Sequence, residues 1–384
     1  MRYWLLALAV CLAQDDDRLL WSWSAPPAEA DKDEWVEILA TDAAVYVTQL
    51  RMDKKARLEE LKLETVGKLR ALDAVTGKET WCVDSTARVS ASDAKRLYGV
   101  AGTSLVALDP ATGREIWRTE LKVPEKYEFD VVSVAGERLY VRAGTGEMVG
   151  FATFKTEGTL FCVNREKGEL AWKAEVGCAH GPDRILERDG RTYGMSYDGR
   201  VFCLEAETGR EVWTKKLGAT FVNPDLSADG KRLVLRSHSG KVQAVDVKDG
   251  GAIWTNADDV TRVMPVQEGT GVVAAGSSLL YRHGMGGVRC LSMEDGKVRW
   301  SVELKAGLTQ PGEEPIAEKD RVYVGYTDGA RARVECRDLE TGKPVWEWKQ
   351  ACKNPLGRAG QLALAGGRLF YVAAGRTIFC VKAK

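Results

Sequence analysis

Short apolar segments bounded by Gly, Asp and Asn recur along the whole chain. Val201–Glu205 (VFCLE) and Arg232–Arg236 (RLVLR) are two examples, and both are rich in β-branched, aromatic or aliphatic residues. Segments of this length, with alternating apolar and polar positions and turn-forming residues at their ends, are typical of β-strands. The pattern therefore predicts an all-β protein.

One unit occurs seven times, and its most visible residue is a tryptophan with a glycine four positions before it. Eight positions before the tryptophan stands a short, mostly polar residue, and two positions further back stands Ala or Cys. The tryptophans are Trp81, Trp117, Trp172, Trp213, Trp254, Trp300 and Trp346. The glycines are Gly77, Gly113, Gly168, Gly209, Gly250, Gly296 and Gly342.

The two clearest copies, RALDAVTGKETWCVD (70–84) and VALDPATGREIWRTE (106–120), show what the unit builds. Asp caps backbone amides and Gly adopts a positive φ, so each copy is a hairpin of two strands. Upstream segments such as 132–144 supply two more strands around another glycine turn. Four strands for every roughly 44 residues predict the blade of a β-propeller.

The two ends of the chain complete one another. Residues 360–384 contain a first, second and third strand, with Cys380 at the Ala or Cys position, but no fourth strand. Residues 18–25 form a lone strand around Trp21 that resembles the fourth strand of the other units. Pairing the two would close an eighth blade and remove exposed sheet edges. We therefore expect an eight-bladed propeller over residues 18–384, with blade eight from 360–384 plus 18–25.

The charge balance excludes a polyanionic partner. The 384 residues carry 55 Lys and Arg against 55 Asp and Glu, so no net charge attracts nucleic acid or an anionic membrane. We expect a monomer without a transmembrane segment.

The first residues have the layout of a secretory leader. One arginine precedes an apolar run from Tyr3 to Leu12, which ends in Cys-Leu-Ala before three aspartates. Residues 1–13 are interpreted as a signal peptide removed after Ala13, which places the protein in the periplasm or another extracytoplasmic compartment. The alternative is a lipid anchor on Cys11.

The cysteines follow the repeat. Cys162, Cys203, Cys290, Cys336 and Cys380 occupy the position held by Ala71, Ala107 and Ala244 in other units, so they act as small buried residues. Cys82, Cys178 and Cys352 fall in or after the fourth strands. We expect free thiols, although export makes a disulfide among the last three possible.

The Ala-x-Asp-x-x-Thr-Gly-x-x-x-Trp pattern, intact at 71–81 and 107–117, resembles the tryptophan-docking repeat of the pyrroloquinoline-quinone-like propeller family. The resemblance implies that each tryptophan, Trp21 included, packs between blades as a structural residue. The family holds quinoprotein dehydrogenases and also non-catalytic proteins, among them the propeller lipoprotein of the bacterial outer-membrane assembly machinery. Fold and function are separate claims in such a family.

The features of a quinoprotein dehydrogenase are missing from the sequence. The resemblance implies that a dehydrogenase of this kind would have a longer chain, carboxylates and amides that hold Ca²⁺ over the quinone, and an adjacent cysteine pair. This chain has no adjacent cysteines and no Cys-x-x-Cys. We predict no catalytic residues and no cofactor, with pyrroloquinoline quinone and Ca²⁺ as the alternative. His180, His238 and His283 are interpreted as surface-loop histidines. His238 and His283 lie in adjacent blades but have no acidic ligand nearby, so no metal is predicted.

Two insertions depart from the repeat, both between the second and third strands of a blade. Residues 51–67 carry alternating charge at Lys54, Lys55, Arg57, Glu59 and Glu60 and are interpreted as a solvated flap. Residues 145–158 (TGEMVGFATFKTEG) have few charges. We expect them to form an exposed apolar loop that contacts another protein through Met148, Val149, Phe151 and Phe154.

Three functions remain open at this point. The sequence favours a non-catalytic exported scaffold that binds another envelope protein on the rim of its ring. A quinone-binding oxidoreductase-like module and a channel that binds a small ligand or polysaccharide are the alternatives.

Overall fold

The computed structural model describes residues 17–26, 32–53, 64–129, 132–150, 153–177, 184–196, 198–217, 221–237, 240–257, 271–283, 287–304, 314–328, 331–352, 360–373 and 375–384. These residues contain β-strands and no helix, and the strands form eight separate sheets. The predicted all-β, eight-bladed architecture is confirmed.

Blades one to seven take their strands in chain order, from the first strand to the fourth. Blade one contains β2 (Lys32–Ala40), β3 (Ala44–Asp53), β4 (Glu64–Asp73) and β5 (Glu79–Asp84). Blade two contains β6 (Arg88–Ser92), β7 (Leu97–Ala101), β8 (Ser104–Leu108) and β9 (Glu115–Glu120). Blade three has a divided first strand, and contains β10 (Glu128–Phe129), β11 (Ser133–Ala135), β12 (Arg138–Gly150), β13 (Thr153–Asn164) and β14 (Leu170–Glu175).

The next two blades are regular. Blade four contains β15 (Leu186–Arg188), β16 (Arg191–Met195), β17 (Arg200–Glu205) and β18 (Glu211–Lys216). Blade five contains β19 (Phe221–Leu226), β20 (Arg232–Ser237), β21 (Val242–Asp246) and β22 (Ala252–Asn256).

The last blades return the chain to its beginning. Blade six contains β23 (Val272–Ala275), β24 (Ser278–His283), β25 (Gly287–Ser292) and β26 (Val298–Val302). Blade seven contains β27 (Ile316–Glu318), β28 (Arg321–Asp328), β29 (Arg331–Asp338) and β30 (Pro344–Ala351). Blade eight contains β31 (Leu362–Ala365), β32 (Arg368–Ala373), β33 (Thr377–Lys382) and, as its fourth strand, β1 (Leu19–Ser24).

The ring closes through β1. This strand pairs antiparallel with β33, and the register places Trp21 opposite Cys380, the same pairing that Trp172 makes with Cys162 in blade three. The first strands of neighbouring blades contact one another all the way round, including β31 with β2. The first strands therefore line the axis and the fourth strands form the outer edge.

The core lies between the blades and is repeated around the ring. Each hydrophobic cluster combines buried residues of two neighbouring blades, as in the packing of Tyr140, Cys162 and Trp172 against Phe202 and Leu204. Burial of this kind contributes about 25 cal/mol per Å² of apolar surface, which makes the junctions the main source of stability.

The tryptophans bridge the blades. The indole Nε1 of Trp172 donates to the carbonyl of Ala206 in the next blade at 2.9 Å, and that of Trp213 donates to Val247 at 2.9 Å. The same bond is made by Trp21, Trp81, Trp117, Trp254 and Trp300.

The repeated glycine belongs to the same junction, but it contacts the tryptophan of the preceding blade instead of its own. A Cβ on Gly209 would lie 2.5 Å from the Trp172 indole, and the φ of Gly209 is +72°. The other six glycines have φ between +68° and +74°, and a Cβ on each would lie 2.5 to 2.9 Å from the preceding blade's indole. Glycine is required both for the backbone conformation and for the space that the indole takes.

In six of the seven units the polar residue caps turn amides, and in the other unit Glu205 accepts from the Thr208 hydroxyl and from Arg210. The carboxylate of Asp73 accepts bonds from the amides of Val75 and Thr76 at 3.2 and 2.7 Å, and Asp109 accepts from Ala111 and Thr112. These bonds satisfy amides that the hairpin leaves without a ladder partner.

Five cysteines of the repeat are buried, and the thiols in the described part of the chain are free. Burial raises the pKa of the Cys203 and Cys336 thiols to about 11, which keeps them protonated and unreactive. Cys82 is exposed on β5 and Cys352 follows β30, whereas Cys11 and Cys178 lie outside the described residues. The burial predicted for the five cysteines of the repeat is confirmed.

The predicted signal peptide, residues 1–13, and the charged centre of the first insertion lie outside the described residues. The ends of that insertion are strand, because β3 continues to Asp53 and β4 begins at Glu64. The described residues contain no helix that could span a bilayer.

Candidate functional site

The second insertion is a β-hairpin that extends blade three beyond the ring. β12 has 13 residues and β13 has 12, against 5 and 6 for β16 and β17 of blade four. The fourth strand, β14, ends its pairing at Thr159, whereas β12 and β13 remain paired from Gly144 opposite Gly158 to Gly150 opposite Thr153. A two-stranded ribbon therefore projects from the face where second strands end and third strands begin.

The residues predicted for protein contact fall on this ribbon. Met148 and Val149 lie in β12 and Phe154 lies in β13, with Met148 opposite Phe154 in the register. Phe151 lies outside the described residues. The segment expected to be a loop is a continued hairpin, because strand pairing extends to Gly150 opposite Thr153. The apolar β-forming residues that suggested a contact surface also favour strands.

The base of the ribbon is fixed by contacts with the connection that precedes blade three, with the first strand of blade three and with blade four. Lys126, in the connection from blade two, forms an ion pair with Glu157 at 2.6 Å, and β10 pairs with Ala143 and Gly144. The buried Arg142 reaches into blade four, where its Nη1 donates to the carbonyl of Met195 at 2.8 Å.

Blade four also contacts the root of β12 through Glu187. This carboxylate accepts from the Tyr140 hydroxyl at 2.6 Å and from Arg138 at 3.0 Å. The pKa of Tyr140 is raised, mainly by burial and then by this hydrogen bond. These contacts of Arg138, Tyr140 and Arg142 with blade four form the root of the ribbon and fix its direction relative to the ring.

A second polar cluster lies at the mouth of the channel. First strands begin at the same face on which second strands end, so Arg184 before β15 and Glu314 before β27 share a face with the ribbon. Their side chains meet across blades five and six, with Arg184 Nη2 at 2.8 Å from Glu314 Oε2. The other carboxylate oxygen of Glu314 accepts from the amide of Gly271 at 3.1 Å.

Asp225 in β19 completes this cluster. Its oxygens accept from the amides of Leu226 and Ala274, both at 2.8 Å. Burial raises the pKa of the Asp225 carboxyl, while these amides and the charge of Arg184 oppose the shift. Blades four to seven are thus tied together at the axis.

The histidines do not form a metal centre in the described structure. His283 is buried, with Nε2 3.0 Å from Ser301 Oγ and 3.6 Å from Glu303, so the surface-loop interpretation is wrong for this residue. His180 and His238 lie outside the described residues. Among the residues that are described, no three His, Cys, Asp or Glu side chains are grouped closely enough to hold a metal ion.

The cluster at the channel mouth could not be found from the sequence. Arg184 and Glu314 are 130 positions apart and belong to no repeat, so only the closed ring brings them together. The ribbon was detectable because it interrupts a repeat.

These features define a class, the eight-bladed propellers whose blades are joined by a tryptophan and the glycine turn of the next blade. The model of the family described as outer membrane protein assembly factor BamB matches residues 65–155, 156–306 and 239–384. The chain belongs to this family.

Solved structures show the same fold at low sequence identity. BamB from Moraxella catarrhalis is 15% identical with a TM-score of 0.59, and the alignment covers 94% of this chain and 98% of that one. Quinohemoprotein alcohol dehydrogenase ADHIIG from Pseudomonas putida HK5 is 13% identical, with a TM-score of 0.63 and coverage of 96% and 77%. Sqt1 from Saccharomyces cerevisiae is 12% identical, with a TM-score of 0.66 and coverage of 96% and 99%. No curated protein matches the sequence. At such identities the structural likeness establishes the fold alone.

Proposed function

We propose that the protein is an exported, non-catalytic scaffold of the cell envelope that binds another protein through the blade-three ribbon. The observation that carries the proposal is the ribbon itself, residues 144–158, because there β12 and β13 remain paired as a two-stranded hairpin beyond the last residue that β14 pairs. Family membership supports the envelope setting, and the leader-like first residues support export.

The geometry of the ribbon suits protein binding. A hairpin that has left its sheet presents strand edges, and strand edges recognise extended segments of other proteins through main-chain hydrogen bonds. The fixed root lowers the entropy that is lost when a partner binds. The apolar composition of TGEMVGFATFKTEG adds contact area.

The proposal includes no cofactor. The carboxylates at the channel mouth are already compensated, Glu314 by Arg184 and the Gly271 amide, and Asp225 by two amides. A Ca²⁺ ion over a quinone would require these groups as free oxygen ligands. This donor set does not fit such an ion.

The test compares three forms of the tagged, full-length protein in cells. In the first variant, Asn-Gly replaces residues 145–157, so that Gly144 and Gly158 close a two-residue hairpin turn. In the second, Met148, Val149, Phe151 and Phe154 are each changed to Thr, which preserves strand propensity but removes the apolar surface. Cross-linking mass spectrometry on envelope fractions identifies the partners of each form.

We expect a dominant partner with the native protein, loss of that partner with the shortened ribbon, and at least a tenfold weaker signal with the threonine variant. Circular dichroism and thermal unfolding should show the same ring in all three. A partner that is captured equally by all forms would refute the ribbon as the binding site. Recovery of all forms in the cytoplasmic fraction would refute export.

A further inference from the structure

Seven of the eight blade junctions use the same pair of groups, and the closing junction does not. In the seven, the indole of one blade is covered by the turn glycine that joins the third and fourth strands of the next blade. In blade eight the third strand is β33 and the fourth is β1, which come from opposite ends of the chain. No turn joins these strands, so Trp346 of blade seven meets a different residue.

That residue is Arg18. Its guanidinium carbon lies 4.3 Å from the centroid of the Trp346 ring. The backbone of Arg18 is fixed at the same place, because its carbonyl accepts from the amide of Lys382 at 2.9 Å. The Nη1 atom of Arg18 is 3.4 Å from the carbonyl of Lys382.

The closing junction also differs in the donor that reaches its backbone carbonyl acceptor. In other blades the carbonyl that follows the capping position, such as that of Ala206 or Val247, receives the indole N–H. The corresponding carbonyl in blade eight belongs to Ala383 and receives the hydroxyl of Tyr323 at 3.3 Å.

We propose that Arg18 replaces the missing glycine turn as the cover of Trp346 and thereby acts as the latch that holds β1 in blade eight. A planar guanidinium can stack on an indole as closely as a glycine backbone does, and it adds a cation–π attraction. The chain runs from β1 into blade one and not into the other strands of blade eight, so the place of β1 in blade eight depends on strand pairing and on contacts at its two ends. Opening of this strand is the way the ring opens.

The opposite end of β1 supplies a matched control. Arg376 donates from Nη2 to the carbonyl of Ala25 at 3.3 Å, and the Ala25 amide donates back to the Arg376 carbonyl at 3.0 Å. Arg376 is thus a second arginine that holds an end of β1, but it contacts a backbone carbonyl instead of an indole.

Hydrogen exchange followed by mass spectrometry on the full chain tests the latch. In Arg18→Ala, peptides covering β33 should exchange about tenfold faster, which corresponds to about 1.4 kcal/mol and lies within the range of a partly buried cation–π contact. Peptides covering β17 in blade four should not change. Arg18→Lys should lie between Arg18→Ala and the native protein, and Arg376→Ala should change β33 exchange less than threefold.

A double-mutant cycle shows whether Arg18 acts through Trp346. In a Trp346→Leu background, Arg18→Ala should no longer accelerate exchange in β33. Equal acceleration in both backgrounds would overturn the proposal, as would an Arg18→Ala effect no larger than that of Arg376→Ala. If Trp346→Leu does not fold, the comparison of the two arginine variants decides alone.

Discussion

Blades three and four are neighbours built from the same repeat, yet only blade three extends beyond the ring. In both, a second-strand tyrosine lies opposite a third-strand cysteine, Tyr140 opposite Cys162 and Tyr193 opposite Cys203. In both, a tryptophan reaches the carbonyl of the next blade. Apart from the divided first strand of blade three, the difference lies in residues 144–158, where the second and third strands of blade three remain paired. The repeat therefore determines the ring, and the unrepeated residues determine the ribbon that projects from it.

This comparison predicts that changes at the junctions lower stability, while changes in the ribbon affect binding. The largest effect is expected at Gly209. A methyl group there must adopt φ near +72° and would lie 2.5 Å from the Trp172 indole. The strained backbone costs about 1 kcal/mol and overpacking against the indole costs about 1–3 kcal/mol more.

Gly190 is the matched control for this variant. Its φ is +71°, but nothing lies within 4 Å of an added Cβ, so Gly190→Ala carries the backbone strain without the steric overlap. Urea unfolding should show a loss of roughly 3 kcal/mol for Gly209→Ala and about 1 kcal/mol for Gly190→Ala. Equal losses would show that the indole contact contributes nothing.

Alkaline pH should unfold the ring without involving the ribbon. Burial raises the pKa of Tyr98, Tyr193 and Tyr323 to about 12, and the hydrogen bond to Asp93 adds to the shift of Tyr98. The ordinary tyrosine value is 10.0. Between these values the folded protein keeps protons that the unfolded chain releases, so stability is full below pH 10 and falls as pH rises toward 12.

The measurement is a parallel titration of tyrosinate absorbance and circular dichroism. We expect the buried tyrosines to ionise only as the β-signal is lost. The ribbon-shortened variant should give the same curve, because residues 145–158 contain no tyrosine. Ionisation of all eleven tyrosines at pH 10 with an intact ring would contradict the junction geometry.

A smaller effect is expected at the turns. Asp109→Ala removes a carboxylate that accepts from the amides of Ala111 and Thr112 at 2.7 and 3.2 Å. Loss of such a cap in a solvated turn costs about 1 kcal/mol. Asp109→Asn retains an acceptor and should restore most of the loss in thermal unfolding, whereas no difference among the three proteins would argue against capping.

The smallest effect on stability is expected at the root of the ribbon. Lys126 and Glu157 are largely exposed, so Lys126→Ala should lower the free energy of unfolding by less than about 1 kcal/mol. Raising the salt concentration should reduce the difference further. A loss of several kcal/mol would mean that the ribbon contributes to the stability of the ring, which would contradict the separate roles of ring and ribbon.

The ring was predictable from the sequence because its signals are local and repeated. Trp21 and Cys380 could be assigned to one blade because each matched a known position of the unit. The partner of each glycine was not predictable, since Gly209 meets Trp172 only after two blades pack together. The same holds for Arg18 over Trp346, which depends on how the closing junction differs from the others.

The candidate site was predicted by position but not by structure. Met148 and Phe154 were identified because they interrupt the repeat, yet composition alone did not distinguish a loop from a continued hairpin. The surface position predicted for His283 is wrong. A place near a turn favours exposure, but the His283 ring hydrogen-bonds to Ser301 of strand β26 inside the same blade. The Arg184–Glu314 pair had no sequence signal at all.

The central claim is that the ring provides the stable fold and that the ribbon binds the partner protein. The most direct test measures capture of the cross-linked partner per folded molecule for the ribbon-shortened variant and for Gly209→Ala side by side. The account predicts that the shortened protein is as stable as the native one and captures no partner, while Gly209→Ala is less stable and captures a normal amount. Normal capture by the shortened protein would contradict it.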